Sequence, residues 1–182
     1  PDLLFVSIAS VVSASVLVPF FMEKMEGDRR TGKHFIDNIF SAFFLTIIIV
    51  SAIVFVCAPS LLKLLLPGLA HDSSFPELIT ATRMLLLSPI FLGISNFLSS
   101  ITQMHKRFLV YALSPLVYNL GIIGGLIFLY PSYGLKGLIW GVIIGSFLHM
   151  LIQIPFTIQE KLFPRLTIFI EWFAIRKVVL IS

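Results

Sequence analysis

Apolar residues in this chain run in long blocks separated by short polar connections, with no sustained two-residue alternation. Blocks near residues 3–21, 38–58, 79–104, 108–130 and 137–157 each approach the roughly 20 helical residues that cross a bilayer core about 30 Å thick. They predict about five transmembrane helices, packed as an all-α integral membrane bundle over residues 1–165. Residues 79–104 and 108–130 meet at the basic turn His105-Lys106-Arg107 and so read as a helical hairpin. Polar connections are expected over Met22 to His34, Ala70 to Glu77 and Pro131 to Lys136. Residues 61–69, after Pro59, are too short to span and read as an interfacial piece. Residues 166–182 mix apolar positions with Glu171, Arg176 and Lys177, which suits an interfacial amphipathic helix or the truncated start of a further transmembrane helix.

The pattern also says which faces meet protein. Residues 38–58 carry almost no polar side chain and read as the lipid-facing helix. Small residues recur every four positions at Ala9/Ser13, Ser10/Ala14, Gly121/Gly125 and Gly137/Gly141/Gly145, a spacing that lets backbones approach in a membrane. The two glycine series predict a tight pairing of the fourth and fifth spans.

Composition reinforces this reading: 58% of the 182 residues are hydrophobic and 12% charged, too apolar for a soluble domain. The net charge of +4 does not point to nucleic acid, because the basic residues are spread over short connections. Of the 13 lysines and arginines, ten (Lys24, Arg29, Arg30, Lys33, Lys106, Arg107, Lys161, Arg165, Arg176, Lys177) fall on one side of the predicted layout, Lys63 and Lys136 on the other, and Arg83 within a span. Positive charge accumulates in the cytoplasm, so the first helix runs outside to inside and the chain ends in the cytoplasm. Cys57, the single cysteine, reads as a buried structural thiol. The chain opens at Pro1-Asp2 without a basic leader or cleavage site, and is read as a piece of something longer.

Candidate chemistry is confined to a few polar residues inside the spans. Arg83 either faces a watery cavity, where it would suit a lipid-linked diphosphate, or lies near the outer boundary and snorkels to headgroups. Asn96 and Asn119 lie deep enough to require hydrogen bonds across helices or a polar cavity. His149 and Gln153 share a helical face; the pair suits a proton relay or a hydrogen-bonded structural role. Pro19, Pro89 and Pro115 are expected to kink or end their helices. Asp2 and Asp37 read as solvated at helix ends. The four histidines, His34, His71, His105 and His149, are scattered, and no nucleophile–base set, metal-ligand cluster or phosphate-cradling loop is present in the sequence. An enzyme, a metal and a cofactor are not expected.

Several stretches resemble the MurJ/MviN family of lipid II flippases in the MOP exporter superfamily. They are Lys106-Arg107-Phe108, Ala112-Leu113-Ser114-Pro115, Tyr118-Asn119-Leu120-Gly121, the glycines from Gly134 to Gly145, Gln153-Ile154-Pro155 and Pro164-Arg165-Leu166. Pro1-Asp2-Leu3-Leu4 and Val18-Pro19 are similar to the segment at the family's second helix. The resemblance implies roughly the second to sixth transmembrane helices of one lobe of a larger transporter in the bacterial inner membrane. Its partners would be a lipid-linked peptidoglycan precursor, the membrane lipids and the remainder of the transporter, namely the missing first helix and the C-terminal lobe. The implied activity is alternating-access export of lipid II for cell wall biosynthesis. Phe5 and Val6 stand where the family has a basic pair, and Ser10 where it has an acidic residue. That departure favours another MOP exporter, moving a lipid-linked oligosaccharide or a cationic solute; a further reading is a non-transporting membrane scaffold dimerising through its glycine ridges.

Overall fold

The structure, a computed structural model, describes residues 14–105 and 108–167. They form α1 (Ala14–Gly27), α2 (Arg29–Leu65), α3 (Phe75–Leu85), α4 (Leu87–Met104), α5 (Phe108–Gly124), α6 (Tyr130–Tyr133), α7 (Leu135–Leu151) and α8 (Ile154–Gln159). A π turn at Gly125–Leu129 joins α5 to α6. Four helical stretches, 30–65, 75–104, 109–133 and 135–159, are long and apolar enough to cross a membrane. Most of the expected first span and nearly all of 166–182 lie outside the described residues.

The expected polar connection at 22–34 is almost entirely helical. Only Asp28 separates α1 from α2, and it caps the new helix, its carboxylate accepting from the Arg30 N–H and the Thr31 hydroxyl, each at 3.2 Å. A good N-cap followed by residues without a proline extends a helix past the membrane surface, even across Gly32, so polarity there does not mean coil. At the other end α2 runs through Pro59 to Leu65 and absorbs much of the piece expected to be interfacial. Its 37 residues reach about 55 Å, well beyond a hydrocarbon core.

The inner half of α2 is not lipid-facing. Ile36, Phe40, Phe43 and Ile47 are buried at helical spacing and pack with Phe21 of α1 and Phe97 of α4. The outer half is exposed, as Val56 at 72% illustrates, and with it Cys57, so the thiol read as buried lies on the surface.

Proline breaks the third span. Pro89 clashes with the carbonyl four residues back, that of Leu85, and α3 ends there with Leu86 as the junction to α4. Pro155 acts likewise on Leu151, where α7 ends before α8 begins. Pro19 and Pro115 sit inside continuous helices, α1 and α5. Between α6 and α7 the chain reverses at Gly134, whose φ of 56° and ψ of −136° suit glycine alone.

Gly121 and Gly125 of α5 and the π turn face Gly141 and Gly145 of α7. A Cβ on Gly121 would stand 2.3 Å from the Gly145 Cα, and one on Gly125 the same distance from the Gly141 Cα. Gly137 packs as closely on the backbone of Leu129. α8 ends in a Schellman turn: the Leu162 N–H donates to the Thr157 carbonyl at 3.0 Å and the Lys161 N–H to that of Ile158 at 2.9 Å. Lys161 takes the left-handed position usually given to glycine, at φ 57°.

Candidate functional site

Three helices converge on one polar junction. Ser95 of α4 is fully buried, and its hydroxyl lies 2.6 Å from Nδ1 of His149 on α7 and 2.9 Å from the His149 carbonyl oxygen. That carbonyl is available because α7 ends there: the Gln153 N–H bonds to Met150 instead. Gln153, itself fully buried, donates from Nε2 to the Ser95 hydroxyl at 2.7 Å. Tyr118 of α5 sets its ring edge-on to the imidazole, centroids 6.3 Å apart. Ser95 lies ten residues before His105 at the end of the hairpin helix, about 15 Å along the axis and so near the bilayer midplane.

His149 and Gln153 thus come together as their spacing suggests, through Ser95, which is not among the candidates the sequence offers. The detectable signal was periodic: Ser95, Ser99 and Gln103 recur every four residues and trace one stripe along α4.

The other candidates lie elsewhere. The Arg83 Nε donates to the Phe55 carbonyl of α2 at 3.1 Å, with its guanidinium over the Phe55 ring at 4.8 Å. Phe55 lies four residues before Pro59, which has no N–H to offer, so Arg83 supplies the donor that the proline removes. Asn96 is half-buried on α4, and Asn119 is exposed on α5. The sequence had not separated these roles, because which carbonyl a proline frees is local whereas what reaches it is not.

A second polar assembly forms at the basic end. Asp37, expected to be solvated at a helix end, lies two turns inside α2 at 9% exposure. Its carboxylate pairs with Lys33 and accepts the Arg165 backbone N–H at 2.8 Å. One turn on, the Ser41 hydroxyl accepts the Thr167 N–H at 2.8 Å and donates to the Asp37 carbonyl. One face of α2 thereby fastens the segment after α8. Beside it Asp28, Arg30, Lys33, His34, Asp37 and Lys161 surround an open depression of about 630 Å³. His105 Nε2 and a Glu160 carboxylate oxygen are 3.6 Å apart nearby. Among the described residues no cluster of three His, Cys, Asp or Glu side chains could hold a metal ion.

Comparison with known proteins matches residues 1–179 to the family described as lipid II flippase MurJ. Similar curated proteins include a lipid II flippase MurJ of Burkholderia cenocepacia, 30% identical over 48% of this chain and 18% of its own length. Probable lipid II flippases MurJ of Rickettsia prowazekii and Buchnera aphidicola are 26% and 28% identical over 60% and 86% of this chain. The chain spans less than a third of the length of these relatives, 22% and 31% for the latter two. With a family match over nearly every residue and a bundle of membrane-length helices, the chain is a multi-pass protein of the bacterial inner membrane and belongs to the MurJ lipid II flippase family.

Proposed function

We propose that this bundle is part of one lobe of a lipid II flippase, residues 1–165 forming its membrane core, and that it carries the peptidoglycan precursor to the outer leaflet by alternating access. The family match over residues 1–179 carries the reading. The fold suits it in two respects. Helices interrupted at Leu86 and at residues 152–153, with a π turn at Gly125–Leu129, resemble the broken helices on which transporters build their sites. Asn119 is exposed on a helix whose most apolar stretch is only 17% buried, and an amide facing lipid would be costly. The face holding Asn119 therefore meets a watery cavity or further protein in the whole transporter, which is the role we assign to it and to half-buried Asn96.

Arg83 takes a different part: it braces α2 at Pro59 while the lobe moves as a unit. The test is complementation by the full-length parent in cells depleted of their own lipid II flippase, beside Arg83→Ala and Asn119→Ala. Growth restored by the parent, lost in Asn119→Ala at normal membrane levels, supports the reading. No rescue by a well-inserted parent transfers the assignment to another MOP substrate.

A further inference from the structure

Along the contact between α4 and α7–α8 runs a row of buried polar atoms for which the described residues supply no hydrogen-bond partner. Gln153 uses one end of its amide on Ser95, and its Oε1 is buried without a partner; exchanging the amide's two ends would strand the nitrogen instead. Among the described residues the Ser99 hydroxyl, one turn towards the basic end, is likewise buried without a partner, and so is Nε2 of Gln103 a turn further. α8 carries its own polar position at the matching level, since Ser95 meets Gln153 and one turn on each helix leads to Ser99 and Thr157. Beyond Gln103, at the basic end, His105 and Glu160 lie 3.6 Å apart, and at the other end of the row stands the imidazole of His149, whose Nδ1 is held by Ser95. Donors and acceptors stranded in hydrocarbon are costly, and a buried water satisfies such groups when two to four polar partners surround it.

We infer that this contact is a narrow water-filled file, open to the cytoplasm at Glu160 and His105, and that the ligands it takes are water and, through water, the proton. A proton entering at the mouth is passed from water to water and forms an N–H bond at Nε2 of His149; the imidazole becomes imidazolium and the last donor becomes neutral water. The groups around His149 are Ser95 from α4, Tyr118 from α5 and Gln153 leading into α8. Glu160 and His105 stand at the mouth, while Arg83, Glu77 and Lys136, on α3 and the start of α7, lie towards the opposite end.

The inference does not depend on what the transporter moves, and its test reads hydration directly. In inside-out vesicles holding a cysteine-free full-length parent, Cys57→Ser included, Ser99→Cys is exposed to a small cationic methanethiosulfonate. The control is Ser114→Cys on α5, which is equally buried but whose hydroxyl is satisfied by the Val110 carbonyl at 2.8 Å. Modification of Ser99→Cys at least about tenfold faster than the control is expected; equal rates overturn the inference. In the Ser99-bearing protein in bilayers, the ring N–H of His149, assigned with His149→Gln, should exchange with D2O within minutes. Protection over many hours would overturn the inference equally.

Discussion

Where α1, α2 and α4 meet, rings fill the space between backbones; where α5 meets α7, the backbones themselves touch. Phe97 is fully buried, with Phe21, Phe40 and Phe43 ring centroids 5.1 to 6.3 Å away. Gly121 and Gly141 instead leave no room for a methyl group. Lipid chains are as apolar as any side chain, so neither contact gains from leaving water; each rests on dispersion between well-fitted surfaces. The aromatic contact holds by volume and can adjust its rings. The glycine contact holds by the absence of volume and cannot.

The largest effect should come from emptying the aromatic half. Phe97→Ala is expected to cost about 2–3 kcal/mol, the cavity term alone, read from unfolding of the full-length protein in mixed micelles, while Phe97→Leu should cost clearly less because neighbouring rings can close on it. Next comes the smallest addition to the glycine half. Gly121→Ala adds one methyl and should cost about 1–3 kcal/mol by forcing α5 off α7. Gly124→Ala on the same helix meets nothing within 4 Å and should be neutral or slightly stabilising. Equal behaviour of the two glycine variants would remove the contrast between the halves.

A smaller effect is expected from the brace between α2 and α3. Arg83→Met should cost about 1 kcal/mol, the scale of polar contacts within membranes. In a Pro59→Ala background the residue at 59 regains its N–H for the Phe55 carbonyl, and the cost of Arg83→Met should shrink. A cost unchanged by Pro59→Ala would mean that the cation–π contact with Phe55, not the carbonyl, carries the interaction.

The turn before α3 should matter least. The Ser74 N–H and hydroxyl bonded to Asp72 hold its carboxyl below the ordinary value of 3.8. A lowered folded-state value means that its contribution is present above 3.8 and is lost as pH falls through the folded value. Exchange protection of the Ser74 amide should therefore stay constant from neutral pH down to about 4 and decline only below it. Loss at higher pH would show that the turn depends on something other than this carboxylate.

The hydropathy blocks, glycine spacing and charge bias determined much by themselves: membrane-length helices, a close α5–α7 pair and the grouping of basic residues at one end. These are properties of one helix and its solvent, and composition at period four carries them. Only the tertiary structure decided that the polar stretch after Met22 is a helix junction, that Asp37 is buried against Arg165, and that Ser95 unites His149 with Gln153. It also turned Arg83 towards the carbonyl that Pro59 leaves open, and left Cys57 on the surface. Each of these depends on which residue, tens of positions away, arrives opposite a given atom. A one-dimensional pattern says that a polar group in hydrocarbon must find a partner, but packing chooses which one.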